Sequence, residues 1–585
     1  MRVDTVRFWY LQRRMFLRTV SFLLCFIASF ATAADITTEH LQQLAKKAQD
    51  LFQKGRYKEA TPPARELLKL TEQVAGSDHP LVAQSLNNLA LILQKDQQFA
   101  EARQLFERAL KIEESTLGPE NPGIVRSLTN LALLLQETKD LTAARPLVER
   151  ALKINETAYG KDHLAVAVSL VNLAELQREA GDYTAARPLL ERALEIQEKT
   201  YGTDHLSVAT ILTSLGLLEK DTGDYRKAQT LQTRALQIRQ EKLGPAHPDV
   251  AESLNNLGGA LYQTGNFSAA LPLFEQAVGI YEHVYGKSHP MVATSLGNLA
   301  SLQYQVHDYQ GAKKIYQRVL AINEKVYGKD HQTVAVTLNN LALVIRESGD
   351  VAGSRPLYER ALKITEKVYG PDHPNVAVSL NNLASLFHQQ ENYAAARPLF
   401  ERSLAIMEKA LGKEHPNVAT MLNQYALFLK DTKEVDESRR RYAQALAIET
   451  KALAPGQKDT AVSLNNLATT MSGLAALLEE TRQYDQLLPL YGQAVALVES
   501  SLGAQHPNLA LNLKTLASFY IAQGKLAEAA TLQEKALHIQ ETALPPKDPA
   551  TTDTLQQLAM LYQKLGRNAE AEKTRARIQG DTAAK

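Results

Sequence analysis

A step of 42 residues dominates this sequence and limits what it can fold into. His79-Pro80 is followed at that spacing by eight similar dipeptides, and the pattern returns near residues 506 and 548 after one irregular unit. The eight steps fall on Asn121-Pro122, His163-Leu164, His205-Leu206, His247-Pro248, His289-Pro290, His331-Gln332, His373-Pro374 and His415-Pro416. Such self-similarity is typical of a repeat array, in which each unit buries its apolar face against its neighbours. We therefore predict one array instead of the roughly four domains that length alone suggests.

Thirteen units account for residues 34–580 as a single solenoid, followed by a tail at 581–585. The units lie near 37–78, 79–120, 121–162, 163–204, 205–246, 247–288, 289–330, 331–372, 373–414, 415–456, 457–505, 506–547 and 548–580. At 461–485 the sequence contains seven extra residues. Because seven residues are about two helical turns, we expect one long first helix that projects about 10 Å beyond its neighbours.

Each unit has the pattern of two helices. In the unit at 373, Val376, Leu380 and Leu383 recur at helical spacing, and Pro374 suits the first turn because that position needs no N–H. Turn signals such as Gly181-Asp182 follow, and the second helix ends at a glycine, as at Gly118. No stretch of the repeats is typical of a strand, so the fold class is all-α.

The motifs within the units resemble the tetratricopeptide repeat. Leu-x-x-Leu-Ala is followed nine residues later by Tyr or Phe, as at Tyr393, and three residues further by Ala. The 42-residue period, with HP-x-VA-x-SLNNLA and RAL-x-I-x-E, is similar to the longer variant found in kinesin light chains and bacterial relatives. The resemblance covers about residues 37–580. It implies a right-handed α-solenoid of about 13 antiparallel helical hairpins, whose first helices line a concave, peptide-binding groove.

Residues 1–33 have the layout of a secretory signal peptide. Five arginines accompany an apolar run from Thr19 to Ala34, and Ala31-Thr32-Ala33 offers small residues for cleavage. We expect cleavage after Ala33 and export to the periplasm or the extracellular space, without stable membrane insertion afterwards. Arg13-Arg14 also fits a twin-arginine signal, so that route and an uncleaved anchor remain alternatives.

Composition and motifs argue against catalysis. The single cysteine, Cys25, lies in the segment expected to be removed, and the sequence lacks G-x-x-x-x-G-K-[ST], H-E-x-x-H and G-x-S-x-G. Nine of the 14 histidines recur once per repeat, roughly 8–10 Å apart or more, too far to share a metal ion. We interpret them as helix caps. A formal net charge of +1 gives no basis for binding nucleic acid. We expect no enzyme activity, no cofactor, no metal and no nucleic-acid partner.

Asparagines recur on the first helices, where this residue is a mediocre helix former. A carboxamide can pair with the backbone of any extended peptide, which makes the column a candidate groove wall. An equally weighted alternative is a ladder of bonds between neighbouring repeats. Breaks in the column favour a ligand stretch between about residues 255 and 385. The candidates are Asn88, Asn130, Asn172, Asn255, Asn256, Asn298, Asn339, Asn340, Asn381 and Asn382.

A second column, six residues after the last asparagine of each unit, contains cations and aromatics but no acid, and the column beside it is mainly acidic. Its candidates for contact with a ligand are Arg178, Lys220, Tyr262, Tyr304, Arg346 and Lys430. If it lies on the concave side, it suits an acidic or carboxylate-ended segment with an aromatic side chain. A solvated basic face without a role is the alternative.

These features predict a non-catalytic protein–protein interaction scaffold that binds an extended peptide segment of a partner in its groove. The alternative is an accessory or regulatory subunit of an exported cell-envelope enzyme complex, which docks a folded partner by its convex face or repeat edges. Neither the partner's identity nor the oligomeric state follows from the sequence.

Overall fold

The computed structural model describes residues 38–138, 140–453, 460–502, 504, 507–543 and 548–582. Among these residues the regular structure consists of 26 α-helices and a 3-10 turn at Pro122–Ile124, without a strand. In chain order the helices are α1 Thr38–Gln53, α2 Tyr57–Ala75, α3 Pro80–Lys95, α4 Phe99–Leu117, α5 Val125–Glu137, α6 Leu141–Tyr159, α7 Leu164–Glu179, α8 Tyr183–Tyr201, α9 Leu206–Asp221, α10 Tyr225–Leu243, α11 Pro248–Gln263, α12 Phe267–Tyr285, α13 Pro290–Gln305, α14 Tyr309–Tyr327, α15 Gln332–Glu347, α16 Val351–Tyr369, α17 Pro374–Gln389, α18 Tyr393–Leu411, α19 Pro416–Asp431, α20 Val435–Ala452, α21 Thr460–Thr481, α22 Tyr484–Leu502, α23 Pro507–Ala522, α24 Leu526–Ala543, α25 Pro549–Lys564 and α26 Asn568–Thr582.

Odd-numbered helices are the first and even-numbered helices the second members of consecutive hairpins. The expected all-α solenoid is confirmed. The helices group into two compact units, one ending at Ile364 and the other beginning at Thr365, and this boundary falls within α16. The expected signal segment, residues 1–33, lies outside the described residues. Of the helices that the structure describes, none combines the length and the apolar composition needed to cross a bilayer.

The repeated histidine caps the first helix of most hairpins. His163 Nδ1 accepts the backbone N–H of Ala165 at 3.2 Å, and His373 Nδ1 accepts that of Asn375 at 3.1 Å. A tyrosine four residues earlier stacks on the same ring, as Tyr201 does on His205 with centroids 4.2 Å apart. Acceptance at Nδ1 satisfies one of the backbone N–H groups that the first helical turn leaves without a partner. The expected capping role is confirmed for His79, His163, His205, His247, His289, His331, His373 and His415.

Buried polar side chains connect second helices to the first helices that follow them, at a spacing of 14 residues. Asn155 Nδ2 donates to Ser169 Oγ at 2.9 Å, and Asn323 Nδ2 donates to Thr337 Oγ1 at 3.0 Å. Arg239 occupies the same position in its repeat. This column was not predicted from the sequence because its members differ in size and charge from repeat to repeat. The Ser or Thr that recurs 14 residues later was the available signal.

The irregular stretch forms one long first helix, as expected. α21 has 22 residues, whereas its neighbour α19 has 16. Asn466 Nδ2 donates to the Pro416 carbonyl at 2.8 Å and Lys430 Nζ donates to Glu480 at 3.3 Å, both across 50 residues. Asn423 Nδ2 also donates to the Asn466 carbonyl at 3.2 Å across only 43 residues, so the bonds between α19 and α21 do not share one offset.

Candidate functional site

The asparagine column contains bonds between neighbouring first helices. In the compact unit that ends at Ile364, Asn87 Nδ2 donates to Ser127 Oγ at 2.8 Å, and Asn130 Nδ2 donates back to Asn87 Oδ1 at 3.3 Å. The same two bonds recur among Asn255, Ser295 and Asn298, at 2.6 Å and 3.3 Å. Since these amides link α3 to α5 and α11 to α13, the structure supports the inter-repeat ladder at both places.

The candidate asparagines differ in how much of their side chains a ligand could reach. Half-buried members are Asn172, Asn298, Asn339, Asn340 and Asn382. The buried members are Asn88, Asn130, Asn255, Asn256 and Asn381. The buried group has little surface left for a ligand, so any contact with an extended peptide falls mainly to the half-buried group.

Side chains of the second column, six residues after the last asparagine of each repeat, bond to the mainly acidic column of the next repeat. Gln94 Nε2 donates to Glu137 at 2.6 Å, and Gln136 Nε2 donates to Glu179 at 2.5 Å. The same kind of contact occurs in the compact unit that begins at Thr365, where His388 Nε2 lies 2.9 Å from Asp431 Oδ2. All three pairs are 43 residues apart, one more than the repeat. The two columns, adjacent on one helix, therefore meet across neighbouring helices.

This pairing corrects the expectation of an open cationic face. Arg178, Arg346 and Lys430 each pair with carboxylates. Burial lowers the pKa of Lys430, but Asp431 and Glu480 together outweigh burial and leave this pKa raised. The ion pairs are Arg178 with Glu175 and Asp221, Arg346 with Glu347, and Lys430 with Asp431 and Glu480. Lys220, Arg346 and Lys430 depart from the rule in sequence, because the residues 43 positions later are Gln263, Gln389 and Gly473. For Arg178 the physical reason is the offset between neighbouring helices, which the helical pattern of a single repeat does not contain. Arg346 and Lys430 meet the acid that follows them in their own helix, and Lys430 also meets Glu480.

The two candidate tyrosines pack against the start of the second helix of their own hairpin. Tyr262 meets Phe267 edge-on with centroids 5.5 Å apart, and Tyr304 lies 5.7 Å from Tyr309. Burial raises the pKa of both candidate hydroxyls, and Glu347 adds to the effect at Tyr304. Both rings are half-buried, so each is held in place while part of it stays accessible.

Exposed valines accompany three of the half-buried asparagines, a feature that was not predicted from the sequence. Val168 and Val336 are 53% and 59% exposed, and they precede Asn172 and Asn340 by four residues. Val378 precedes Asn382 in the same way in the second unit. Residues four apart lie on one face of a helix, so each valine sits beside an amide. The sequence signal was an apolar residue one turn before the asparagine.

Consecutive hairpins with the same caps, bonded through side chains of their first helices, define an α-helical repeat protein. The model of the tetratricopeptide repeat family matches ten segments, and the chain belongs to this family. The matched residues are 41–115, 82–157, 123–199, 166–241, 207–283, 249–325, 291–350, 333–409, 467–542 and 510–574. These repeats indicate a protein-interaction scaffold. No curated protein matches the chain.

Solved structures of related architecture include kinesin-light-chain-like proteins. A structure described as "Podosopora anserina putative kinesin light chain nearly identical TPR-like repeats" is 25% identical, over 35% of this chain and 98% of its own, with a TM-score of 0.33. BtubC (BKLC) from P. vanneervenii is 24% identical over 40% of this chain and 92% of its own, with a TM-score of 0.35. The apo form of RapI is 14% identical over 49% of this chain and 98% of its own, with a TM-score of 0.39.

Proposed function

We propose that the protein is a non-catalytic scaffold that holds an extended segment of a partner protein along its first helices, between residues 168 and 347. The observation that carries this proposal is the pairing of exposed Val168 and Val336 with half-buried Asn172 and Asn340. A carboxamide donates to and accepts from a peptide backbone, and a neighbouring valine offers apolar contact to a side chain. Half-buried Tyr262 and Tyr304 add aromatic surface in the repeats between them.

The charges in this region favour a ligand chosen by shape and apolar contact. Arg178 and Arg346 already face carboxylates of the chain, so an acidic segment would have to compete with Asp221 and Glu347. We therefore expect binding to depend weakly on salt, because few charges of the scaffold remain for the ligand to neutralise. The expected preference for an acidic or carboxylate-ended segment is tested by comparing amidated and free-acid forms of the same peptide.

A peptide library displayed on phage tests the groove against many partner sequences at once. Selected peptides are expected to lose at least about tenfold in affinity for the Val336→Arg/Asn340→Ala variant, because truncation at a binding hot spot costs about 1–2 kcal/mol or more. Fluorescence polarisation with the synthetic peptide measures the change. Arg355→Ala/Glu359→Ala serves as the control, since this exposed pair lies on the second helix α16.

Two outcomes would contradict the proposal. One is that no peptide is selected, and the other is that the selected peptides bind the groove variant and the control equally well. Equal binding would instead favour the accessory subunit that docks a folded partner by its convex face or repeat edges.

We also propose that the protein acts after export, in the periplasm or outside the cell. The support is the sequence of residues 1–33, in which arginines accompany an apolar run that ends in Ala31-Thr32-Ala33. Amino-terminal sequencing of the protein from its native host is expected to begin at Ala34. A chain that still begins at Met1 or Met15 would exclude cleavage at this site.

A further inference from the structure

The turn between α1 and α2 contacts hairpins that lie far along the chain, within the compact unit that ends at Ile364. We call residues 55–58 of this turn the tip, and residues 289–290 with 327–331 the seat. Lys58 Nζ donates to the backbone carbonyl of Tyr327 at 3.1 Å, across 269 residues. The ring of Tyr57 stacks on that of Tyr327, with centroids 6.5 Å apart. These contacts join the first hairpin to the end of α14.

A glycine in the tip allows the close approach. Gly55 has a φ of +71°, and a Cβ at this position would lie 2.9 Å from Pro290 Cδ. The first hairpin packs on α3 through α2, and no hairpin precedes it among the described residues. The tip can therefore leave the seat by a rotation of this terminal hairpin, without unfolding either of its helices.

His331 lies in the seat, where it caps α15. Its Nδ1 accepts the backbone N–H of Thr333 at 3.2 Å, and its ring stacks on Tyr327 with centroids 4.4 Å apart. Its Nε2 is buried and has no hydrogen-bond partner in the part of the chain that the structure describes. Burial, with a smaller contribution from the charge of Lys58, lowers the pKa of His331 to about 4. The seat therefore disfavours the protonated ring.

Histidines with the same local structure, but without a tip above them, are exposed. His163 and His205 accept a backbone N–H at Nδ1 and stack on a tyrosine, as His331 does. Their tyrosines, Tyr159 and Tyr201, are both 49% exposed. His163 and His205 are themselves exposed, whereas His331 is half-buried. Because the cap and the stack are the same, we attribute the burial of His331 to the tip.

The titratable groups around His331 come from several elements. Lys58 faces it from the tip, Tyr327 stacks on it from α14, and His289 lies in the seat at the start of α13. Burial raises the pKa of Tyr327, and the neighbouring Tyr57 and then Glu137 add to this effect. The other charged residues in or beside the contact are Arg56 and Glu59 in the tip, which pair with each other, and Lys329 and Asp330.

We propose that the tip and the seat form a pH-sensitive clasp, which is closed while His331 is neutral and is released when His331 takes up a proton. In the closed clasp a protonated ring would be partly buried, and its positive charge would face the ammonium group of Lys58. Release exposes the ring to water and removes this repulsion. The first hairpin then separates from the end of α14, and the small rotations between the intervening hairpins relax.

The direction of the pH effect follows from the lowered pKa. An unperturbed histidine has a pKa of about 6.5, which we expect for His331 in the released clasp. Above that value neither state takes up the proton, and the closed clasp keeps its full stability. Between pH 6.5 and about pH 4 the released state is protonated first, so the ratio of released to closed clasps rises as pH falls. The full effect, reached below pH 4, is about 300-fold.

Single-molecule energy transfer between two dyes tests whether the clasp is closed. Cys25→Ser removes the single cysteine of the sequence, and Lys69→Cys on α2 with Lys325→Cys on α14 provides two exposed sites for the dyes. We expect high transfer at pH 8. At pH 5 the ratio of released to closed molecules is expected to be about 30-fold higher. Circular dichroism at both pH values checks that the helices are retained.

His331→Asn separates this clasp from other groups that titrate between pH 8 and pH 5. Asparagine takes up no proton in this range, and it can cap the helix as Asn121 does by accepting the N–H of Gly123 at 2.8 Å. We expect this variant to stay closed at pH 5. His163→Asn is the matched control, because it makes the same change at an exposed cap and should respond to pH as the unaltered clasp does.

Tyr57→Ala/Lys58→Ala provides the released state for comparison, since it removes both contacts to Tyr327. Low transfer at both pH values is expected for this variant. Three results would each overturn the proposal: equal transfer at pH 8 and pH 5 in the unaltered clasp, an undiminished response in His331→Asn, or high transfer in Tyr57→Ala/Lys58→Ala.

Discussion

Replacing Arg239 with alanine is expected to cost about 3–5 kcal/mol in the free energy of unfolding, because it leaves a buried carboxylate without its cation. Arg239 and Glu252 are only 3% and 5% exposed, and Arg239 Nη1 lies 3.2 Å from Glu252 Oε2. The same nitrogen donates to Ser253 Oγ at 2.7 Å and to the Asp249 carbonyl at 3.2 Å. Truncation removes all three interactions at the contact between α10 and α11.

Denaturant unfolding, with hydrogen exchange across residues 225–263, measures the loss where it arises. Arg234→Ala is the matched control on the same helix, because Arg234 pairs with Glu198 at 2.8 Å near the surface. Such a pair contributes about 0–1 kcal/mol. Replacing both buried partners, with Arg239→Met and Glu252→Gln, is expected to recover most of the loss. The account fails if Arg239→Ala and Arg234→Ala cost the same.

Glu449→Gln is expected to stabilise the compact unit that begins at Thr365 by about 3 kcal/mol at pH 8 and to remove a pH dependence of its stability. Glu449 is fully buried, and burial raises its pKa to about 7. Thr470 Oγ1 lies 2.8 Å from Glu449 Oε1 and 2.9 Å from Asn423 Oδ1. The single hydroxyl proton of Thr470 can be donated to only one of these two oxygens, Glu449 Oε1 or Asn423 Oδ1. A protonated Glu449 resolves this by donating to Thr470, which then donates to Asn423.

The direction of the pH effect follows from the raised pKa. Below about pH 4.5 the folded and unfolded chains both hold the proton, so Glu449 adds no pH dependence there. Between that value and about pH 7 the unfolded chain releases the proton first, and the free energy of unfolding falls as pH rises. Above about pH 7 the loss is complete.

Thermal unfolding between pH 4 and 8 measures this slope. Glu449→Gln should flatten it and leave the stability at the acidic end almost unchanged. Glu479→Gln is the matched control, because Glu479 is exposed on α21 and should leave the slope intact. An unchanged slope in Glu449→Gln would mean that another group titrates in this range.

The sequence predicted the fold class well because the relevant interactions are local. His163 and Ala165 are two residues apart, and the stacked pair Tyr201 and His205 are four apart. The prediction for the groove was less complete. Asn172 and Asn340 stand out in the sequence as a polar column on a helix, whereas the exposure of Val168 and Val336 depends on how the helices pack.

Contacts between repeats were decided by the tertiary structure. The sequence pattern contains Gln94 in one column and Glu137 in the adjacent column. Their hydrogen bond, however, depends on how far one helix is displaced along the next. The pairing of Arg178 with Asp221 depends on the same displacement, and it closed a face that had been expected to be open.

The sequence by itself determined the 42-residue unit, its two helices, their caps and the order in which the units pack. Only the tertiary structure brought Lys58 to Tyr327 across 269 residues. The physical reason is that every repeat adds a small rotation and rise to the one before it, set by packing between neighbouring helices. Those increments accumulate along the solenoid, so the meeting of distant repeats is a property of the array and not of any one unit.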